Sequence, residues 1–260
     1  MHMNKYRTIL WMLLVGLSAS LNAQQPSLFT SGVETNPEFK NFYFQVKHIE
    51  DFMSRFNGET NVMDSTQIEG WRYKNLLFLF DEQTYYANEA LADTLIHRQL
   101  DSACRLDYTA SNWSAVAECN VLYKKAKKTV LLTLQTEKVE DYIYKWVITD
   151  AQGEILDLKP EKRNPGLRIS PTDNEVDFIS LTHITSAEAV NILNYAKKDY
   201  MPDALSVFYS LVYTKQLQVE SIQSVTYHFY NIHGMDLEVK RHLEDKAHSG
   251  WLITGIRKHE

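Results

Sequence analysis

The sequence predicts an α+β fold in which helices pack on antiparallel β-meanders. Apolar residues alternate with polar ones in three consecutive runs near the middle of the chain, and the alternation returns near the C-terminus. These runs are Trp113–Tyr123, 128–135 and 141–149, then 222–232, 237–243 and 251–256. A period of two with one apolar face is typical of a half-buried antiparallel sheet, and helical apolar spacing precedes each group of runs.

The N-terminal residues 1–23 have the composition of a secretory signal peptide. Lys5 and Arg7 give a basic start, a nine-residue apolar run follows at 9–17, and small or polar residues lead to Ala23. A membrane anchor would need about 20 apolar residues, which neither this segment nor any later one contains. We therefore expect export to the periplasm or the cell exterior, with no transmembrane segment in the mature chain.

The charge balance argues against one class of partner. The chain carries 27 Lys and Arg against 33 Asp and Glu, a formal net charge of −6, and removal of the signal peptide makes it more acidic. Such a balance opposes binding to a phosphate backbone, so no nucleic-acid partner is expected. The aromatic content of 12% favours a well-packed globule over a disordered chain.

The first predicted helix follows a loose mature terminus at residues 24–35. Asn36 is suited to cap this helix and Pro37 to occupy its first position. Apolar side chains then recur at helical spacing as far as Phe56. The helix is expected to end at Gly58, because glycine readily adopts the left-handed conformation that terminates helices.

Two more helices are predicted before the first meander. The run 71–80 is strongly apolar and is interpreted as helical, and Thr84 is expected to cap a longer helix that reaches about Ala103. Together with the first meander, these helices make up the predicted unit 36–158.

Residues 159–171 are predicted to link this unit to a second one, because three prolines and a glycine lie there among basic side chains. The second unit, 172–260, begins again with helices: Thr185 and Glu188 match a capping box, and Pro202 opens a further helix. The repeated order of helices and meander predicts two structurally similar halves. Apolar side chains near both ends of the linker indicate that the halves unfold as one cooperative unit.

Two cysteines, Cys104 and Cys119, lie fifteen positions apart in a chain expected to be exported. An oxidising compartment permits a disulfide between them, which would stabilise the fold by roughly 3 kcal/mol on loop-entropy grounds. The alternative is that each thiol is buried separately as a small apolar side chain. The spacing leaves both alternatives open and excludes a CxxC redox pair.

No motif in the sequence predicts a metal site, a cofactor or a nucleophilic catalyst. His228 and His242 share the more polar face of the second meander and would approach each other if their strands were neighbours. Exposed sheet histidines account for the same pattern, so no catalytic residue, metal or cofactor is assigned.

The order of helices followed by a curved meander, with the apolar pattern of the first helix, resembles the NTF2-like or cystatin-like superfamily of cone-shaped α+β domains. The resemblance covers residues 36–154 best and 172–260 more weakly, and extends to exported proteins of Gram-negative anaerobes. It implies a cone covered by helices. The superfamily includes isomerases and dehydratases that use a polar group deep in the cone, together with many members that only bind. No acid or base of the family matches a residue here.

The favoured hypothesis is an exported, non-catalytic binding protein of the cell envelope, whose apolar cone or inter-half groove holds a small apolar ligand or an envelope protein. The pocket candidates are Tyr142, Tyr144, Trp146, Trp113 and His97. Trp146 is expected to be largely buried on the helix-facing side with Tyr142 and Tyr144. An isomerase or hydratase acting on a small apolar substrate through Tyr142, Tyr144 or His97 is the first alternative. A homodimeric assembly subunit, paired through a sheet face, is the second.

Overall fold

A computed structural model describes residues 48–59, 70–102, 104–157, 166, 168–172, 178–184, 192–197, 199–242 and 250–260. The predicted signal peptide, the loose terminus, the Asn36 helix start and the Thr185 capping box lie outside the described residues, as does most of the linker. Among the described residues, no helix is long and apolar enough to cross a membrane.

The predicted α+β class is confirmed. The helices are α1 (Ile49–Asn57), α2 (Trp71–Leu77), α3 (Glu82–Ala87), α4 (Glu89–Asp101) and α5 (Ala204–Tyr213), with short 3₁₀ segments at Ile179–His183 and Ile192–Tyr195. The strands are β1 (Trp113–Tyr123), β2 (Ala126–Glu140), β3 (Ile143–Gln152), β4 (Leu217–Ile232), β5 (Met235–His242) and β6 (Gly250–Lys258).

All six strands form one antiparallel sheet in the order β3-β2-β1-β4-β5-β6. Each meander pairs its own strands in sequence, and the two meanders meet where β1 pairs with β4. That pairing runs from Trp113 opposite Phe229 to Tyr123 opposite Leu217. The first strands of the two meanders therefore lie side by side at the centre of the sheet.

The predicted alternation places one apolar face of the sheet under the helices. In β1, Trp113, Ala115, Ala117, Cys119 and Val121 are all buried, as the pattern predicted. Helices α1 to α4 pack on one end of this face and form the first core cluster with Trp113 and strands β4 to β6. Helix α5 packs on the other end through Phe208 and forms the second core cluster with Cys119 and strands β1 to β4. We call this the helix-bearing face.

The predicted boundaries of the helices between residues 71 and 103 need correction. Helix α2 ends at Leu77, and the chain then runs along β6, where Leu79 and Asp81 exchange backbone hydrogen bonds with Ile253 at 2.7 and 3.0 Å. Asp81, not Thr84, caps α3, because its carboxylate accepts the Thr84 amide at 3.0 Å. The single long helix is divided at Asn88.

The prediction that Trp146 is largely buried is wrong, since its side chain is 42% exposed. Strand β3 lies at the edge of the sheet, and β2 pairs with β1 only as far as Leu134, so the end of the β2–β3 hairpin extends beyond β1. Tyr142 lies in the hairpin turn with a positive φ of 68° and is 97% exposed. Tyr144, the next residue but one, is also exposed.

Candidate functional site

Four aromatic side chains cross the helix-bearing face in continuous contact, and we call them the aromatic row. Trp146 on β3 meets Trp113 on β1 edge-on, with ring centroids 4.8 Å apart. Trp113 stacks on Tyr227 of β4 at 5.8 Å, and Tyr227 meets Trp251 of β6 edge-on at 4.9 Å. The row therefore runs from one edge of the sheet to the other.

Trp113 anchors the row because it is packed on several sides. Its ring stacks on Phe229 at 5.7 Å with an interplanar angle of 6°, and its indole N–H donates to the Tyr108 carbonyl at 3.3 Å. Phe229 lies directly opposite Trp113 in the β1–β4 pairing, so the strand register itself places the two rings together. Burial of a side chain of this size contributes ~1.5–3 kcal/mol.

A cavity of about 360 Å³ adjoins the row at Trp251. Its lining residues are Ile222, Gln223, Ser224, Val225, Thr226, Lys240, Arg241 and Trp251. Trp251 packs against the first core cluster and Val225 against the second, so the cavity lies between the two helix groups. Its volume is within the range of about 300–1,000 Å³ that small-molecule sites occupy, at the lower end.

The cavity wall carries two cations in different states. Lys240 forms an ion pair with Glu238 at 2.6 Å. Arg241 lies directly opposite Trp251 in the β5–β6 pairing, so the two side chains share the helix-bearing face. Arg241 is exposed, and no carboxylate of the described residues forms an ion pair with it.

The middle of the row is acidic in the sense that two carboxylates, those of Glu50 and Asp51, lie near Tyr108 and Tyr227. Burial raises the pKa of Tyr108 to about 12, and the carboxylates of Glu50 and Asp51 contribute to that rise. Burial also raises the pKa of Tyr227, again with a contribution from Glu50. Both hydroxyls therefore stay protonated at neutral pH, where they can donate hydrogen bonds but cannot act as bases.

A polar cluster lies on the opposite face of the sheet. It contains Ser114, His228 and Glu238, which lie directly opposite one another on β1, β4 and β5. These are the residue types of a catalytic triad. However, Ser114 Oγ shares a hydrogen bond of 2.9 Å with the hydroxyl of Tyr230. The His228 ring stacks on Tyr230 at 6.3 Å, so the hydroxyl of Tyr230, and not the imidazole, holds the serine.

Among the described residues Ser114 hydrogen-bonds to Tyr230 and makes no hydrogen bond to His228, so the cluster lacks the contact between nucleophile and base that a catalytic triad needs. Burial lowers the pKa of His228, which keeps its ring neutral at physiological pH. The approach of His228 to His242, one of the two readings that the sequence left open, does not occur, because Glu238 occupies the position opposite His228 and His242 lies four residues further along β5. Four residues of a strand correspond to about 13 Å. Among the residues with described placement, no group of His, Cys, Asp and Glu could hold a metal ion.

Two of the five predicted pocket residues, Trp113 and Trp146, come together in the aromatic row. Tyr144 and Tyr142 lie towards the exposed end of the β2–β3 hairpin, so their assignment to a pocket is corrected. His97 is exposed on α4, where Nδ1 contacts the Asp93 carbonyl at 2.8 Å and the ring meets Tyr73 edge-on at 5.8 Å.

The sequence interpretation missed Tyr227, Trp251 and Arg241 as site residues. The alternation in the second meander already placed Tyr227 on its apolar face. What the sequence lacked was a signal that β4 pairs with β1, which brings Tyr227 beside Trp113. Without knowledge of that strand pairing, contact between the aromatic residues of the two meanders could not be predicted.

The two cysteines are free thiols, so of the two alternatives the structure favours separate burial. Cys104 packs against the first core cluster, and Cys119 is part of the second. Burial raises the pKa of both thiols, which makes them poor nucleophiles at neutral pH.

No protein-family model, curated protein or solved structure matches this chain.

Proposed function

We propose that this protein is an exported, non-catalytic binding protein of the cell envelope that holds a small apolar ligand in the cavity beside Trp251. The observation that carries the proposal is the cavity itself, because Trp251, Ile222 and Val225 present apolar surface there between the two core clusters. Small-molecule sites are mostly apolar, concave and placed between packed units.

Exposed side chains in the wall support the proposal. Ile222 is 54% exposed although it lies on the helix-bearing face, opposite the buried Cys119. An apolar side chain that remains in water beside a cavity is available to a ligand, and its burial on binding contributes free energy. The adjoining aromatic row offers a further surface on which a flat or extended apolar molecule can lie.

Fluorescence titration with phenylnaphthylamine, a neutral apolar dye that brightens in apolar sites, tests the proposal. Ile222→Arg places a charge in the cavity and should weaken binding at least about tenfold, since an unpaired charge against an apolar ligand costs more than ~1.4 kcal/mol. Val219→Arg is the matched control: Val219 is an exposed residue of the same strand and face, outside the lining. Equal binding by both variants and the wild type would refute the cavity as the site.

The export and superfamily hypotheses belong to the same proposal. Export rests on the signal-peptide pattern of residues 1–23, and mass spectrometry of envelope protein should find a mature terminus at Gln24. The NTF2-like cone and the two similar halves are supported by helices on one face of an antiparallel sheet and by the strand order, in which the first strands of both meanders lie at the centre. The isomerase or hydratase alternative has less support, since Tyr142, Tyr144 and His97 are all exposed.

An assembly subunit is a second candidate, which strand β3 favours. This ten-residue strand lies at one edge of the sheet and exposes Ile143, Tyr144 and Trp146, whereas the opposite edge strand, β6, is contacted by Phe80. Exposed apolar edge strands can pair with a second copy. Sedimentation velocity tests this candidate. If the chain assembles through β3, the wild type should sediment as a dimer and Ile143→Lys should sediment as a monomer.

A further inference from the structure

The cavity beside Trp251 has one feature that a purely apolar ligand does not explain, namely the exposed guanidinium of Arg241. Of the two cations in the lining, Lys240 is already neutralised by Glu238 at 2.6 Å. Arg241 has no such partner among the residues that the structure describes, although the chain carries more acidic than basic residues. Its partner in the pairing is Trp251, so the charge is held beside the apolar wall.

Of the charged side chains in the cavity lining, Arg241 is the one that no carboxylate of the described residues neutralises, so it is the charged group available to an anion. Ser224 Oγ already donates to the carboxylate of Glu118 at 3.0 Å. A guanidinium offers paired N–H donors in a plane, which match the two oxygens of a carboxylate. An arginine next to a tryptophan and an isoleucine therefore matches a molecule with an anionic head and an apolar body.

We propose that the ligand is an apolar carboxylate, such as a medium-chain fatty acid, whose head group pairs with Arg241 while its chain lies against Trp251 and Ile222. The inference rests on the proposed function and specifies its ligand class. The acidic middle of the aromatic row sets the orientation, because Glu50 would repel a carboxylate near Tyr227. The head group therefore stays at the Arg241 end, and the chain extends towards the row.

Displacement of bound phenylnaphthylamine by decanoate and by decanol tests the inference on the full mature chain. The two competitors have the same apolar chain and differ in the charged head. Decanoate should displace the dye about fivefold more effectively, the size expected for an ion pair that remains partly hydrated. The preference should shrink at high salt, because exposed charges are screened.

Arg241→Met should abolish the preference for decanoate without weakening displacement by decanol. Lys258→Met is the matched control, because it removes one exposed positive charge at the end of β6, outside the cavity lining. Loss of the preference in the first variant and its retention in the second support the inference. Equal displacement by both competitors in the wild type, or a preference that survives Arg241→Met, overturns the inference alone. Failure of the dye to bind the wild type would instead overturn the proposed function.

Discussion

Trp113 and Trp146 illustrate how position in the sheet decides what one residue type contributes. Their rings touch at 4.8 Å, yet Trp113 is 1% exposed on the central strand and Trp146 is 42% exposed on the edge strand. Trp113 has Phe229, Tyr227 and Tyr108 around it. Trp146 has water on much of its surface, so its burial adds less to the free energy of folding.

Trp113→Ala should lower the free energy of unfolding by about 3–5 kcal/mol, because it removes a fully buried aromatic side chain and leaves a cavity. Trp146→Ala is the matched control and should cost clearly less. Chemical denaturation of both variants checks the difference. Similar losses of stability in the two variants would mean that the edge strand is as well covered as the centre.

Tyr108 gives a prediction about pH. Its pKa is raised to about 12 by burial and by the Glu50 and Asp51 carboxylates, whereas an unfolded tyrosine titrates near 10. The native state therefore holds the proton more tightly, and the stability that this contributes is complete below about pH 10 and is lost as the pH rises towards 12.

Glu50→Gln removes one of the negative charges beside Tyr108 and should lower the pKa of its hydroxyl. Ultraviolet titration of tyrosinate formation measures the shift. Glu154→Gln is the control, since Glu154 is an exposed carboxylate that pairs with Lys128 at 3.2 Å in another part of the fold. Superimposable titration curves for the wild type and Glu50→Gln would show that Glu50 does not act on Tyr108.

At the scale of single elements, the end of α1 depends on one glycine. Gly58 has a φ of 80°, and its N–H donates to the Arg55 carbonyl at 3.0 Å. A Cβ at this position would lie 3.0 Å from the guanidinium carbon of Arg72. The guanidinium of Arg72 donates to the carbonyls of Arg55 and Phe56, so it is not free to move aside.

Gly58→Ala should therefore destabilise the protein by more than the ~1 kcal/mol that a left-handed conformation alone costs an alanine. Gly70→Ala is the matched control, because Gly70 has the same φ of 80° and a Cβ added there would meet no described atom within 4 Å. Denaturant midpoints of the two variants separate backbone strain from crowding. Equal losses of stability in the two variants would imply that the Arg72 side chain moves aside without a cost in free energy.

The elements also show how far the sequence could predict this fold. The alternation in β1 correctly placed Trp113, Cys119 and Val121 on the buried face, and Gly58 correctly marked the end of a helix. The period of two identifies faces but contains no information about which strands are neighbours. The exposure of Trp146 and the junction of β1 with β4 depend on that missing information, and so does the candidate site.

At the scale of the whole molecule, the two meanders share a sheet through the full length of β1. The register between β1 and β4 extends from Trp113 to Tyr123 and is broken only by two bulges. Separation of the meanders would expose the backbone groups of this pairing and the apolar side chains that cross it. In the described part of the chain, separation of the two meanders would therefore cost a large amount of free energy, so they are not expected to unfold independently.

Calorimetry of the mature protein should accordingly record one cooperative transition. A disruptive change in the first meander, such as Val121→Asp on β1, should lower the melting temperature of the whole molecule and not of one half, because Val121 is fully buried. Limited proteolysis near residues 159–171 should not release two stable folded fragments. Two resolved transitions would contradict a shared sheet.

The central claim is that the cavity beside Trp251 binds an apolar ligand, and the indole N–H resonances of the tryptophans test it most directly. Titration with decanoate, followed by nuclear magnetic resonance and assigned through Trp251→Phe, should shift the Trp251 indole resonance in a saturable manner. The Trp71 indole, which lies on α2 within the first core cluster, should stay unchanged. A saturable shift at other tryptophans that leaves Trp251 unmoved, or no saturable shift at all, would contradict the account.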